Sequence, residues 1–269
     1  MCIDRMKMTG LISKDAGKTW KDSGPLLNGQ GRPVLKARRS NLPSLLRLSS
    51  GAIALKYSLP VRGDVTQLST SIIHSKDEGA TWSTPVLIAR SGTRSNPTWL
   101  IQTKRGRLVL PNEYWFAQRG DRGIGICTAF FSDRVGGPWK ESKDALWVWE
   151  KKGAWQGACE VPTVVETADG RLLMFMRTWR QRIAQSYSKD GGQTWSPVKL
   201  NDLLSGNSEI YLAKVPATGD LLCIWNQADA REITRGYYRA RLTSAISKDS
   251  GATWIHFRTI VQSPGQPKV

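Results

Sequence analysis

An eight-residue phrase recurs along this chain of 269 residues, and its spacing narrows the folds open to it. Ser13-Lys14-Asp15-Ala16-Gly17-Lys18-Thr19-Trp20 returns as Ser75-Lys76-Asp77-Glu78-Gly79-Ala80-Thr81-Trp82, as SKDGGQTW at 188–195 and as SKDSGATW at 247–254. A weaker copy, SDRVGGPW, fills 132–139, so the five closing tryptophans stand 56 to 62 residues apart. A fixed period of this size implies one supersecondary unit per repeat, each burying its apolar face against a neighbour.

The phrase has the chemistry of a clamped turn. The Asp carboxylate accepts hydrogen bonds from backbone N–H groups of its own loop. Gly17, Gly79, Gly192 and Gly251 tolerate positive φ. The Thr hydroxyl closes the turn, and the Trp lays an apolar face back on the unit. Strand-like residues precede it, as in Ile72-Ile73, Tyr187 and Ala245-Ile246. A second phrase, strand–glycine turn–strand, runs in step with the first. It starts at Asn41, Asn96, Glu160 and Ser208 and turns at Gly51, Gly106, Gly170 and Gly219. The two phrases together give about four strands per period, which is a β-propeller blade.

The expectation is therefore an all-β propeller of four-stranded blades in a single domain, 1–269. Full blades fall at 37–93, 94–152, 153–205 and 206–261, and residues before Gly24 hold only the clamped turn of an earlier blade. At about 60 residues per blade, a six-bladed ring needs more chain, so the sequence reads as incomplete at both ends. A small ring closed by the N-terminal hairpin is the alternative.

The net charge of +17 favours anionic partners. The basic residues are scattered, and no nucleic-acid motif accompanies them, so nucleic acid is not expected. An acidic glycan is the sharper reading and a generally basic surface the plainer one. No apolar run is long enough to span a bilayer, and residues 1–10 lack the apolar stretch of a signal peptide. Cys2, Cys127, Cys159 and Cys223 have no metal-type spacing. Cys127 and Cys223 lie in apolar strands and read as buried free thiols. His74 and His256, the two histidines, read as structural. No phosphate loop, zinc spacing or dinucleotide fingerprint implies a cofactor, and no acidic cluster argues for calcium.

On these residues the chain resembles the sialidases (neuraminidases) and their BNR-repeat relatives, whose Asp-box reads S-x-D-x-G-x-T-W. The resemblance covers essentially the whole chain. It implies a six-bladed sialidase-type propeller, a secreted or periplasmic setting, and Asp-boxes on the rim. Asp15, Asp77, Asp190 and Asp249 then have no catalytic part. It also implies a substrate sugar with a carboxylate beside its anomeric carbon, gripped by three arginines through forked, charge-assisted hydrogen bonds. A carboxylic acid protonates the leaving oxygen. A Tyr assisted by a Glu base is the nucleophile, an exception to the two-carboxylate glycosidase pattern.

Carried onto this sequence, residues 160–177 (EVPTVVETADGRLLMFMR) resemble the fourth-blade segment. Glu160 becomes the base partner and Arg177 one carboxylate-binding arginine. Arg177 ends an apolar strand, where a charge needs a partner or water. The segment Arg235-Gly236-Tyr237-Tyr238-Arg239-Ala240-Arg241 resembles the one that delivers another arginine. Arg239 is the choice and Arg241 the alternative, since alternation puts both on one strand face. Asp64 stands where the family places its acid; read plainly, it is a turn Asp beside Gly63.

Two departures matter. Asn41-Leu42-Pro43 replaces the family's Arg-Ile-Pro, with Arg39 or Arg38 as stand-ins. The family's Tyr belongs to a blade after the last Asp-box, which leaves Tyr237 and Tyr238 as substitutes in principle. Five of the 12 Trp belong to the repeats. Among the rest, Trp115, Trp155 and Trp179 are candidates for stacking on sugar rings or for core packing between blades. Glu113 lines the same funnel or is a solvent-facing loop residue. The leading function is an exo-α-sialidase-like glycosidase, and the alternative is a non-catalytic propeller that binds acidic glycans. A protein-interaction propeller and an enzyme for another uronic or sulfated sugar remain open.

Overall fold

The computed structural model describes residues 2–4, 9–34, 41–61, 64–90, 94–95, 98–117, 123–149 and 157–263. Arg38, Arg39 and Trp155 lie outside the described residues. The strands fall into five sheets. The first is β1 (Cys2–Asp4), β2 (Thr9–Ile12) and β3 (Lys21–Pro25), in that order. The chain before residue 26 thus holds more than the clamped turn expected there: the turn joins β2 to β3, and β1 pairs on the far side. The second sheet is β4 (Asn41–Arg47), β5 (Ile53–Val61), β6 (Asp64–Ser75) and β7 (Val86–Arg90), ordered along the sequence.

The third sheet contains β8 (Arg94–Ser95), β9 (Ile101–Gln102), β10 (Leu108–Ala117), β11 (Gly123–Ser132), β12 (Lys140–Glu141) and β13 (Gly157–Ala158). Its path is β12-β11-β10-β8; β9 pairs with β10, and β13 runs parallel to β11. Asn96 and Pro97, where a strand was expected to start, lie outside the described residues; β8 ends at Ser95 and β9 begins at Ile101. The Leu100 N–H goes to the Ser44 hydroxyl at 3.1 Å instead of to a neighbouring strand.

The fourth sheet is β14 (Glu160–Glu166), β15 (Leu172–Arg177), β16 (Arg182–Ser188) and β17 (Lys199–Leu204). The fifth is β18 (Ile210–Lys214), β19 (Leu221–Asn226), β20 (Arg241–Ser247) and β21 (Ile255–Gln262). A single short helix, α1 (Ala230–Thr234), interrupts the passage from β19 to β20. The described residues are all-β apart from this turn of helix, with open, four-stranded antiparallel sheets as the repeating element. By contact density it divides into two compact units, Met1–Leu110 with Phe130–Lys140, and Pro111–Ala129 with Glu141–Val269.

The clamped turns adopt one geometry four times. In the turn at 75–82, the Asp77 Oδ1 accepts the Thr81 N–H at 2.8 Å and its Oδ2 accepts the Thr81 hydroxyl at 2.6 Å. The Ser75 hydroxyl donates to Asp77 at 2.7 Å and accepts the Gly79 N–H at 2.8 Å. Asp15, Asp190 and Asp249 repeat these contacts with Thr19, Thr194 and Thr253. The Thr81 contacts, with help from Ser75, pull the Asp77 carboxyl down to about 2, and those of Thr19 and Ser13 do the same for Asp15. For Asp190 and Asp249 burial opposes the shift, yet the same contacts prevail and the carboxyls stay below their ordinary value. Gly79 and Glu78 both lie at positive φ, 89° and 58°, so the turn needs two left-handed residues where the sequence advertises one with its glycine.

Each unit has its own core. In the first, Leu26, Ile53, Leu55, Tyr57, Ile73 and Trp82 pack together. In the second, Leu173, Phe175, Ile183, Leu212, Cys223 and Trp225 form the centre. Strand β5 is buried on both faces, and Lys56 occupies its second face, fully buried between its cross-strand partners Ser44 and Ile72. Burial pulls the Lys56 amine down to about 7.

Candidate functional site

The chemistry-bearing residues of the second unit collect where β14 begins and β15 ends. Glu160 and Arg177 are direct cross-strand partners. The Arg177 Nε donates to Glu160 Oε2 at 2.6 Å, and its Nη2 meets the same oxygen. The carboxylate is nearly inaccessible, while the guanidinium side chain is 21% exposed. Both contacts fall on one oxygen and are made by Nε and Nη2.

A bulge sets this arrangement. The β14–β15 register slips between Glu160 and Thr163, and Val161 sits at φ +43°. A β-branched residue there is strained. The strained N–H is held by a second buried carboxylate: Glu113 Oε2 accepts it at 2.9 Å. Glu113 lies on β10, so it is a buried strand residue and not the solvent-facing loop residue of the plainer expectation. Trp115, two residues on, lies over a glycine gap in β11. A Cβ on Gly123 would stand 2.7 Å from the Trp115 ring; one on Gly125 would stand 3.1 Å from Glu160 Cγ and 3.3 Å from Trp115 Cε3. Both glycines give indole and carboxylate room to approach.

Beneath the pair, the Cys127 thiol donates to the Cys159 carbonyl at 3.0 Å. Burial first, and then the neighbouring Cys159, Glu113 and Glu160, push the Cys127 thiol far up. Burial pushes Cys159 to about 12. Cys127, Cys159 and Cys223 are buried free thiols, as the sequence suggested for the first and last. They stay protonated and do not act as nucleophiles at neutral pH.

The arginines expected from the 235–241 segment are placed differently from each other. Arg239 lies in an exposed turn, outside β20, so the two do not share a strand face. Its Nε and Nη2 donate to the Asn207 carbonyl at 3.1 and 2.8 Å. Arg241 opens β20, and its Nη2 is bound to the buried Glu232 Oε2 at 2.8 Å. The cause is α1, where Asp229 and Glu232 form a reciprocal capping box. That Asp-x-x-Glu spacing stands in the sequence and was the available signal for the helix.

Asn41 opens β4 opposite Ser58, and Asp64 opens β6 opposite Val61; the side chains of both lie outside the description, as do Arg39 and Trp155 entirely. Trp179 is 53% exposed. Trp147 and Trp149, among the remaining tryptophans the sequence offers for stacking but not singled out there, are exposed and stack edge to face at 4.5 Å. The Trp149 carbonyl accepts Arg180 Nη1 at 2.9 Å. Among the described residues no group of three or more His, Cys, Asp or Glu side chains is arranged to hold a metal ion. Among the described residues no helix is long and apolar enough to cross a membrane.

The fold has solved counterparts. Hadza microbial sialidase Hz136 is similar at 18% identity and TM-score 0.66, over 94% of this chain and 52% of its own. NanB sialidase from Streptococcus pneumoniae is similar at 13% identity and TM-score 0.61, over 93% of this chain and 56% of its own. The intramolecular trans-sialidase from Ruminococcus gnavus is similar at 15% identity and TM-score 0.59, over 93% and 76%. The chain thus spans little more than half the length of the two sialidases, and at these identities the likeness is one of fold. No curated protein matches the sequence. The BNR repeat-like domain matches residues 11–267, nearly the entire sequence, and the chain belongs to that family.

Proposed function

We propose that the sheets are blades of a six-bladed, sialidase-type propeller and that the protein is a glycosidase removing terminal sialic acid, or a related acidic sugar, from glycans. The observation that carries this reading is the Glu160–Arg177 pair. A buried carboxylate holds a partly exposed guanidinium by two of its nitrogens, and the Trp115 ring lies close to the same carboxylate across Gly125. Such an arginine binds a sugar carboxylate by charge-assisted hydrogen bonds, and the indole supplies an apolar face for the ring. In this reading Glu160 is the base partner, Arg177 and Arg239 grip the carboxylate, and Asp64 is the acid. Arg239 is preferred to Arg241 because it is exposed and bound only to a carbonyl, whereas Arg241 is occupied by Glu232. Fold neighbours that carry the name sialidase support the substrate class.

Release of the fluorophore from 4-methylumbelliferyl sialoside by the full-length protein tests this. Turnover that Asp64→Ala and Glu160→Ala abolish is expected. Absence of turnover with sialosides and with uronic acid glycosides would remove the assignment. Asn41, which stands where the resemblance expects an arginine, favours a second reading: binding of acidic glycans without hydrolysis. Glycan-array binding that persists in Asp64→Ala and disappears in Arg177→Ala, with no turnover, selects it.

A further inference from the structure

Four clamped turns are alike and one is not. At 132–139, Asp133 and Arg134 stand where the other copies have Lys and Asp. The turn therefore lacks its carboxylate, and Arg134 closes it from the opposite sign, its Nε donating to the Gly137 carbonyl. The Ser132 hydroxyl, freed of its usual Asp partner, donates to the Arg134 carbonyl at 2.8 Å. A clamp that serves four times is given up here, and a cation takes its place.

Beside this turn, in the first unit, lies a cavity of 240 Å³, the space of roughly eight waters at about 30 Å³ each. Leu48, Ala52 and Leu108, all buried, give it an apolar floor. His74, Lys76, Asp133 and Arg134 line it as well. Asp133 is already neutralised by Arg107, whose Nε and Nη2 reach its two oxygens at 2.6 and 3.1 Å. Neither Lys76 nor Arg134 is in an ion pair among the described residues. Lys76 and Arg134 are exposed at the cavity mouth, and two cations without ion-pair partners beside an apolar floor favour an anion there.

We propose that this cavity is a binding site for a small oxyanion-bearing molecule, with Lys76 and Arg134 holding its sulfate, phosphate or carboxylate group above the Leu48–Leu108 floor. Its residues have no part in the glycosidase reading, and the site stands whether or not that reading does.

The two histidines make the test direct. His74 lines the cavity, and His256 lies on β21 and serves as a control. Burial, and after it the Lys76 charge, hold the His74 imidazole below its ordinary value. The other charges at the cavity are Arg134 and the Asp133–Arg107 pair. An anion seated on Lys76 offsets the cation and raises the His74 pKa. NMR titration of both imidazoles, at constant ionic strength with and without inorganic sulfate, is expected to show a saturable upward shift for His74 alone. Lys76→Gln is expected to weaken sulfate binding about tenfold. Lys189→Gln, the matching lysine of a clamped turn, leaves binding unchanged. No sulfate-dependent shift of His74, equal shifts of both histidines, or undiminished binding in Lys76→Gln would each overturn the proposal. Parallel titrations with inorganic phosphate and glucose 6-sulfate distinguish the sources. Equal affinity for all three identifies the free ion as the ligand, and tighter binding of the sugar sulfate identifies a molecule that also covers the floor. Both results support the site.

Discussion

Two Arg–Glu pairs among the described residues of the second unit differ in how far each is shut off from solvent. Arg241 and Glu232 are sealed, with side chains 13% and 7% exposed. Glu232 Oε2 serves both the arginine and the Asp229 N–H that caps α1. The pair is imperfect: Arg241 Nε and Glu232 Oε1 are buried without hydrogen-bond partners in the described structure. It fixes the course of the chain into β20. Arg177 and Glu160 are instead graded, a buried carboxylate under a partly exposed guanidinium. Both pairs are the same chemistry in the same unit. What separates them is the exposure of the arginine, 21% of the Arg177 side chain against 13% for Arg241, and the unpartnered Nε that Arg241 buries.

The largest expected effect breaks the sealed pair. Glu232→Ala strands Arg241 in the interior and should destabilise the protein by about 3–5 kcal/mol, read as a fall in the urea midpoint. Glu160→Ala, where water reaches the surviving arginine, should lose about 1–3 kcal/mol. Equal losses would show that the two pairs do not differ as described. Next, Gly125→Ala places a methyl 3.1 Å from both Glu160 Cγ and the Cys159 carbonyl. It should cost about 1–3 kcal/mol in thermal unfolding and weaken acidic-glycan binding by displacing Glu160. A smaller effect sharpens the functional side. Arg177→Lys should reduce affinity for an acidic glycan about tenfold, near 1.4 kcal/mol, while Arg241→Lys leaves it within about twofold. Calorimetric titration with sialyllactose separates these outcomes.

The mildest effect concerns carboxylates at the exposed extreme, the clamps. Asp15 and Asp77 are held at about 2 in the folded chain, below the 3.8 of a free Asp. The unfolded chain therefore binds more protons between those values. The clamps contribute stability in full above pH 4 and lose it as pH falls through about 2. Asp77→Asn should flatten the acid limb of the unfolding curve without shifting its neutral plateau by more than a few degrees.

The clamps were also the most legible part of the molecule. The contacts of Ser75, Asp77 and Thr81 that clamp the turn join residues no more than four apart, so spacing in the sequence is spacing in the structure. The strand–glycine turn–strand phrase was equally readable, since β4 with β5, β14 with β15 and β18 with β19 pair across it. The hydrogen bond from the Leu100 N–H to the Ser44 hydroxyl was not, because it joins residues 56 apart. Lys56 gave a signal that went unused: a lone lysine in the run Ala52-Ile53-Ala54-Leu55-Lys56-Tyr57, which a strand buried on both faces cannot turn to solvent. The short helix gave another in its capping box.

The site divides along the same line. The sequence by itself determined that the strands carrying Glu160 and Arg177 would pair across the glycine turn at 170; the bulge between Glu160 and Thr163 then set the two residues opposite each other. It also determined the repeat, the left-handed glycines and the one deviant turn. Only the tertiary structure decided that Glu113 reaches 48 residues along the chain to hold the Val161 N–H, that Trp115 settles over Gly123 and Gly125, and that Glu232 claims Arg241 and leaves Arg239 in an open turn. Short-range hydrogen bonds are set by local geometry and survive in any context. The fate of a charged side chain is set by which distant groups exclude water from it, and that is known only when the sheets have packed.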